Sequence, residues 1–230
     1  SVNAMSKLIN NTKVSAFVGS MYSAYCIAVS PQVLEKKIPM LACGSSANIP
    51  KQNNPYIWQA RVTDDQSGLL LAKAYSEKLK LKDPAILHIA ESFGDGLRDQ
   101  TVAAFKTLGI TVDPKKIFAH VPDEKQFVPI LNQIMASGAD GMIAITHQVP
   151  GAMIAMQAED AGLDIPKLGS SSFASTIVLT TAGAAANGWY AVADWTNEVA
   201  TDSGKAFVQT YQKRYNSLPD LAAAVPYDSV

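Results

Sequence analysis

Glycine and serine residues follow two predicted strands in the N-terminal part of the chain, where they could bind a small anion. Gly19 and Ser20 follow the segment VSAFV, and Gly44, Ser45 and Ser46 follow the segment IPMLAC. Glycine lets backbone approach a ligand closely, a serine hydroxyl donates or accepts a hydrogen bond, and N–H groups at a helix N-terminus favour negative charge. The two clusters together predict a neutral cradle for a carboxylate. The alternative is that they only cap helices and fill turns.

Polar and aromatic side chains follow two later strands. Glu91 and Phe93 come after ILHIA, and His147 and Gln148 come after MIAIT. Phe93 could lie against the apolar body of a ligand or be tucked under the next helix, and both alternatives stay open. His147 could donate a hydrogen bond to a ligand or simply cap a turn.

The remaining histidines and the tryptophans have less specific expectations. We expect His88 to lie in the core, because it falls within a predicted strand, and His120 to lie at the surface. The three tryptophans are candidates for the walls of a cleft, although packing in the core or between lobes is the safer assignment for Trp58 and Trp189. Trp195 stays a candidate for contact with a ligand.

Motifs for catalysis and metal binding are missing from the sequence. Neither GSMYS nor GSSSF fits the G-x-S-x-G pattern, and GDG at Gly94–Gly96 is too short for a dinucleotide-binding motif. Serines without a matching histidine and aspartate are binding hydroxyls by default, so we expect no enzyme and no cofactor. Cys26 and Cys43 lack metal-binding spacing, and we expect them to be unbridged, with a disulfide in an oxidising compartment as the alternative.

The composition limits the class of protein. The chain has 230 residues, of which 48% are hydrophobic and 17% charged, with a formal net charge of −1. Such a chain can bury a core, and it has no excess positive charge with which to bind nucleic acid or an anionic membrane. Every apolar run is shorter than the roughly 20 residues of a membrane helix. We therefore expect a small-molecule ligand.

Short β-branched or aromatic runs alternate with segments of helical period, a pattern typical of α/β proteins with mostly parallel sheets. The predicted helices include Ser23–Lys37, Asp65–Lys80, Leu97–Leu108 and Lys125–Ala136, the last capped by Asp123. Ligands bind at the carboxyl ends of the strands in such sheets, where the glycines and serines lie. The predicted strands are Val14–Val18, Ile38–Ala42, Tyr56–Ala60, Ala85–Ile89, Lys116–His120, Gly141–Thr146, Ile165–Gly169 and Trp189–Ala193.

A series of segments resembles one family over essentially the whole chain. The segments are VSAFVGSMYS, IPMLACGSSANIP, ILHIAESFGDGL, FVPILNQIMASGADGMIAI, MQAEDAGLDIPKLGSSS and PYDSV. They resemble the type I periplasmic solute-binding proteins of the leucine/isoleucine/valine-binding group. The resemblance implies an extracytoplasmic two-lobed receptor, expected to be monomeric, that closes on a small ligand and delivers it to the membrane permease of an ABC importer.

The resemblance also implies a division of the chain. Residues 1–63 and 195–230 are expected to form lobe 1, and residues 64–194 lobe 2. Family members have further strands and helices at both ends, so lobe 1 is expected to be incomplete in this chain.

The same resemblance assigns roles to individual residues. It places the ligand carboxylate at Ser23, Gly44 and Ser46, and aromatic contacts at Phe93 and near His147 or Gln148. An acidic residue that usually binds the α-ammonium group is replaced here by Ser171. The predicted ligand-binding residues are Tyr22, Ser23, Gly44, Ser45, Ser46, Phe93, His147, Gln148, Ser171 and Trp195.

The serine at position 171 changes the expected ligand. A buried ammonium group without a charged partner costs several kcal/mol, so we expect an aromatic or short aliphatic acid that lacks an α-ammonium. If Glu91 supplies the missing charge, amino acids remain possible ligands. A ligand-sensing domain of a receptor or regulator and a hydrolase of small amides are the alternatives from other classes.

Overall fold

Two compact units make up the chain in a computed structural model that describes residues 2–11, 13–198 and 201–230. Unit 1 comprises Ser1–Thr63 and Asp194–Val230, and unit 2 comprises Asp64–Ala193. Each unit contains a parallel sheet with helices packed on it, which confirms the predicted α/β fold.

The helices and strands alternate along most of the chain. In order they are α1 (Val2–Asn11), β1 (Phe17–Val18), α2 (Ser23–Lys36), β2 (Met40–Ala42), β3 (Ile57–Gln59), α3 (Asp64–Lys73), β4 (Pro84–Ile89), α4 (Ser92–Thr107), β5 (Ile117–His120), α5 (Val128–Ala136), β6 (Gly141–Ile145), α6 (Gln148–Asp160), β7 (Lys167–Gly169), α7 (Thr176–Ala182), β8 (Trp189–Ala191), α8 (Asp202–Tyr215) and α9 (Leu221–Asp228).

Unit 1 is built on a three-stranded sheet in the order β1-β2-β3. Helix α2 covers it with the apolar residues Cys26, Val29 and Val33, which are fully buried and recur at helical spacing. These side chains form one core with Met40 and Ala42 of β2. Because all three strands are parallel, the loops after β1 and β2 emerge at the same edge of the sheet.

Unit 2 contains a five-stranded parallel sheet in the order β5-β4-β6-β7-β8. Its central strands β4 and β6 are buried along their whole length, which explains the continuous apolar runs PAILHI and GMIAI. One buried cluster contains Phe127 and Leu131 of α5, and another contains Leu97 and Phe105 of α4. The sheet therefore carries a core on each face.

The predicted helix Lys125–Ala136 is shorter than expected, and its predicted cap is wrong. Helix α5 begins at Val128, and Asp123 lies in a separate turn. The side chain of Gln157 on α6 caps the helix instead: its Oε1 accepts hydrogen bonds from the N–H of Phe127 at 2.6 Å and of Val128 at 3.2 Å. A cap supplied by another helix leaves no signal in the local sequence.

The predicted helix Asp65–Lys80 is α-helical only in its first part. Helix α3 gives way to a π-helical turn at Ala74–Lys78. This turn holds Tyr75, whose side chain is fully buried and whose hydroxyl donates a hydrogen bond to Asp140. The wider turn is therefore part of the packing of the unit 2 core.

Two expectations about individual side chains are wrong. His120 is only 3% exposed, because the N-terminal end of α5 covers it: its ring packs edge-on against Phe127 and its Nε2 lies 3.0 Å from Thr146 Oγ1. For Trp58 the core assignment is wrong, because its side chain is 52% exposed, and packing between lobes stays a prediction. His88 is buried as predicted. Trp189 packs on the core of unit 2, with its ring stacked on Phe173.

Candidate ligand-binding site

The first predicted loop joins β1 to the N-terminus of α2. Gly19 has a φ of +116°, a conformation that favours glycine, and the Ser20 hydroxyl accepts a hydrogen bond from the N–H of Tyr22 at 3.0 Å. Ser23 is the first residue of α2 and is 1% exposed. The loop therefore places a serine hydroxyl at the positive end of a 14-residue helix.

The second predicted loop follows β2 and contacts the first directly. The N–H of Ser46 donates a hydrogen bond to Ser23 Oγ at 3.1 Å. A Cβ atom on Gly44 would lie 2.9 Å from both Cα and Oγ of Ser23, closer than Cβ atoms normally approach. Glycine at position 44 is thus what allows the two loops to meet.

The hydroxyl groups of the two loops can donate to an anion. Ser23 Oγ uses a lone pair to accept from the Ser46 N–H, which leaves its own O–H to donate. Ser45 is 3% exposed, and its Oγ has no hydrogen-bond partner within the described part of the chain. Ser46 Oγ accepts from the N–H of Asn48 at 3.2 Å. We call Ser23 and Gly44–Ser46 the serine cradle.

Gln59 is a residue of this region that the sequence did not single out. It is the last residue of β3, and its side-chain Nε2 donates to the carbonyl oxygen of Gly44 at 2.8 Å and to that of Ser46 at 3.2 Å. The available signal was its position, because the end of β3 lies beside the end of β2 in a parallel sheet.

A neutral thiol lies next to the serine cradle. Cys26 and Cys43 are both buried and unbridged. Burial raises the pKa of the Cys26 thiol, although hydrogen bonds involving the backbone of Gly44 and Ser20 act in the opposite direction. Its Sγ donates to the carbonyl oxygen of Ser20 at 3.2 Å. The thiol therefore stays uncharged near neutral pH and adds no negative charge that would repel a carboxylate.

In unit 2, Glu91, Phe93 and His147 come together at the carboxyl edge of the sheet. His147 Nε2 lies 2.5 Å from Glu91 Oε1, and the His147 ring stacks on Phe93 with a centroid distance of 5.2 Å and an interplanar angle of 17°. Phe93 is 6% exposed, so of the two alternatives the structure favours the one in which its ring is tucked into the protein. Glu91 forms an ion pair whenever His147 is protonated.

The other predicted residues of unit 2 lie at the same edge. Gln148 is the first residue of α6 and is half-buried. Ser171 begins a 3₁₀ turn after β7 and is 5% exposed. The segment Gly169–Ser175 contains no acidic residue. This loop therefore offers hydroxyl groups where the family resemblance places a carboxylate.

The two remaining aromatic candidates belong to unit 1. Tyr22 precedes α2, is 37% exposed, and packs against Tyr25 with a centroid distance of 5.4 Å. Trp195 packs edge-on against Phe207 of α8 at 5.8 Å. Tyr22 adjoins the serine cradle in sequence, whereas Trp195 belongs to an aromatic group on α8 and α9.

Metal binding and membrane insertion find no support in the described ranges. No group of three histidine, cysteine or acidic side chains in residues 2–11, 13–198 and 201–230 is arranged to hold a metal ion. In the same ranges, no helix combines the length and apolar character needed to cross a membrane.

Comparison with known proteins identifies relatives that are longer than this chain. An amino acid binding protein from Pseudomonas aeruginosa is 26% identical over 186 residues, which are 79% of this chain and 48% of that protein. The chain thus spans about half the length of this relative.

Two solved structures share the fold. A leucine-binding protein from Thermotoga maritima superimposes with a TM-score of 0.91 and 23% identity, covering 99% of this chain and 65% of that one. A solute-binding protein of an ABC transporter from R. palustris, solved with 4-hydroxybenzoate, superimposes with a TM-score of 0.90 and 21% identity, covering 99% and 63%.

A family model described as periplasmic binding protein matches residues 1–230. This match extends over the whole sequence, and the resemblance inferred from the sequence segments is confirmed. The chain belongs to the periplasmic binding protein family.

Proposed function

We propose that this chain is the ligand-binding part of an extracytoplasmic solute-binding protein that serves an ABC importer and its membrane permease. In this proposal the serine cradle binds the carboxylate of a small acid. The observation that carries it is the hydrogen bond between Ser46 N and Ser23 Oγ at 3.1 Å, because it joins two loops and leaves the Ser23 O–H to donate. A carboxylate accepts hydrogen bonds without donating any and therefore matches this group of donors.

The relatives support a carboxylate ligand. The Thermotoga protein is named for leucine, and the R. palustris protein was solved with 4-hydroxybenzoate. These two compounds share a carboxylate and differ in almost every other group. The proposal assigns residues 1–63 and 195–230 to one lobe and 64–194 to the other, with closure of the lobes on the ligand. A ligand can drive such a change only by the amount by which it binds the closed state more tightly.

We further propose that the ligand lacks an α-ammonium group and is an aromatic or short aliphatic acid. Two features of unit 2 support this. Ser171 replaces the acidic residue expected from the family, and the Glu91 carboxylate already lies 2.5 Å from His147 Nε2. An ammonium group would have to share that charge with His147.

Amino-acid binding is the second candidate. The observation in its favour is that the Glu91 side chain keeps 19% of its surface exposed and so remains partly accessible. The Pseudomonas relative is also named an amino acid binding protein. A ligand series can distinguish the two candidates.

The proposal can be tested by measuring thermal stabilisation and binding heats with matched ligands. The series pairs L-leucine with 4-methylpentanoate and L-phenylalanine with 3-phenylpropanoate, and adds benzoate and 4-hydroxybenzoate. We expect binding by acids without the ammonium group. Binding of the amino acids alone would support the second candidate, and binding of none of these carboxylates would contradict the proposed function.

Variants of the serine cradle test the site itself. Ser23→Ala and Ser46→Ala are each expected to weaken binding of the acid by about 1 to 3 kcal/mol, the usual effect of losing a hydrogen bond to a charged group. The control is Ser203→Ala, an exposed serine at the start of α8, which should leave the affinity unchanged. Wild-type affinity in Ser23→Ala would place the carboxylate elsewhere.

A further inference from the structure

The geometry points to Gln59 as the residue that positions the second loop of the serine cradle, so that its N–H groups face the bound carboxylate. This inference rests on the proposed function, because it concerns the same carboxylate. Gln59 acts through the loop backbone and is a positioning residue without direct contact to the ligand.

The two hydrogens of the Gln59 amide are directed at two carbonyl groups of one short loop. Nε2 lies 2.8 Å from the carbonyl oxygen of Gly44 and 3.2 Å from that of Ser46. An amide NH₂ has two donors, so it can serve both oxygens at once. One side chain thus fixes two peptide groups of Gly44–Ala47.

Fixing a carbonyl group also fixes the N–H group that follows it. The peptide bonds after Gly44 and Ser46 are trans, and in a planar trans peptide the C=O and N–H point in opposite directions. When Gln59 draws the two oxygens toward itself, the N–H groups of Ser45 and Ala47 must therefore point to the other side of the loop.

These N–H groups are available for a ligand. Within residues 2–11, 13–198 and 201–230, neither the Ser45 N–H nor the Ala47 N–H donates a hydrogen bond. The buried Ser45 hydroxyl is likewise without a partner in this part of the protein. Three donors are thus held together on a loop that two hydrogen bonds from Gln59 keep in place. Donors held in advance bind an anion more tightly than donors that must first be ordered.

The identity of the side chain matters because its task is donation. Methionine has nearly the same length and flexibility as glutamine but donates no hydrogen bond. Glutamate has the same shape as glutamine, but its carboxylate would face two carbonyl oxygens and repel them. Arginine restores two donors in a planar group. These three substitutions separate the donor role of Gln59 from its volume.

The test measures the affinity of the 230-residue chain for acids and for their primary amides. The probes are benzoate and benzamide, 4-methylpentanoate and 4-methylpentanamide, and L-leucine and L-leucinamide. We expect Gln59→Met to weaken acid binding about tenfold, with little change for the amides, because the aligned N–H groups favour the charged oxygens. Gln59→Glu should weaken acid binding more, and Gln59→Arg should bind the acids within about threefold of wild type.

A second glutamine provides the matched control. Gln52 also donates from Nε2 to a loop carbonyl, that of Asn48 at 3.2 Å, but it is exposed. Gln52→Met should therefore leave both affinities unchanged. If Gln59→Met is poorly folded by circular dichroism, the comparison of Gln59→Arg with Gln59→Glu still tests the role of the two donors.

The outcomes separate this inference from the proposed function. If Gln59→Met keeps the wild-type ratio of acid to amide affinity while Ser23→Ala loses acid binding, the role of Gln59 is overturned and the cradle stands. Equal weakening of acid and amide in all Gln59 variants, including Gln59→Arg, would also overturn it. If wild-type protein binds none of the acids, the proposed function fails together with this inference.

Discussion

At the scale of single residues, Gly44 decides whether the two loops of the serine cradle can meet. The position a Cβ atom would take lies 2.9 Å from the Cα of Ser23, and backbone atoms cannot yield as the end of a flexible side chain can. Gly44→Ala should therefore push the second loop away from Ser23 and lengthen the hydrogen bond from Ser46 N. We expect acid affinity to fall by about 1 to 3 kcal/mol. Calorimetric titration with the acid that binds wild-type protein measures this change.

Gly138 offers a control for the effect of adding a methyl group. It follows α5, has a φ of +68°, and has open space where a Cβ would lie. Gly138→Ala should lower the free energy of unfolding by about 1 kcal/mol, because an alanine is strained in the left-handed region, and it should leave ligand affinity intact. Equal affinity of Gly44→Ala and Gly138→Ala would show that contact between the loops is not needed for binding.

Residue types and strand ends made part of the site predictable. Glycine and serine after two strands indicated the loops, and the structure brings Ser23, Gly44 and Ser46 together. The pairing of Glu91 with His147 and the bonds from Gln59 were not predictable. Glu91 and His147 are 56 residues apart, and Gln59 bonds to backbone oxygens of the loop after β2. Neither contact leaves a pattern in the local sequence.

At the scale of elements, the carboxyl edge of the unit 2 sheet buries two histidines. His88 lies in β4 and His120 ends β5, and each is 3% exposed. Burial lowers the pKa of both, with hydrogen bonds to the carbonyl groups of Ile89 and Val121 acting in the opposite direction. These side chains therefore stay neutral in the folded chain at a pH at which they begin to be protonated in the unfolded chain.

This difference makes stability depend on pH with a definite sign. As the pH falls below about 6.5, the unfolded state binds the two protons first, so the free energy of unfolding should decrease, by at most about 1.4 kcal/mol per pH unit for each histidine. The loss ends once the pH is below the folded pKa values. Urea unfolding at a series of pH values measures it. His120→Gln should reduce the slope, and an unchanged slope in that variant would show that His120 does not contribute.

A half-buried carboxylate of the same unit, Asp140, does not interfere with this measurement. Burial would raise the pKa of Asp140, but hydrogen bonds from the Tyr75 hydroxyl and from the N–H groups of Lys82 and Asp83, with Lys116 nearby, outweigh burial and lower it. Its contribution to stability is therefore present above the ordinary carboxyl pKa and is lost only as the pH falls through the lower folded value. The histidine effect lies at higher pH.

The prediction of elements succeeded where sequence period and core packing agree. The buried strands β4 and β6 and the helix α2 were visible as apolar runs and as spaced apolar residues. The start of α5 and the burial of His120 were not predictable, because both depend on one contact region in which Gln157 caps the helix and Phe127 covers the histidine.

At the scale of the whole molecule, unit 1 is assembled from two segments that are separated by 130 residues of unit 2. Arg61 and Asp194 stand at the two points where the chain passes from one unit to the other. Arg61 Nε lies 2.5 Å from Asp194 Oδ2, and the two side chains are 7% and 5% exposed. Cys43 adds a second link, because it packs with Leu221 and Val225 of α9. The C-terminal segment is thus held to the N-terminal one by charge and by apolar contact.

Breaking the buried ion pair should be far more costly than breaking an exposed one. Arg61→Met leaves the Asp194 carboxylate buried without its partner, and we expect the free energy of unfolding to fall by about 3 to 5 kcal/mol. Adding Asp194→Leu should recover part of the loss, because no unpaired charge then remains. Lys205→Met breaks the exposed pair with Asp202 at 3.8 Å and should change stability by less than about 1 kcal/mol. Urea unfolding measures all three variants. Equal losses in Arg61→Met and Lys205→Met would mean that the two segments of unit 1 are held together without the Arg61–Asp194 pair.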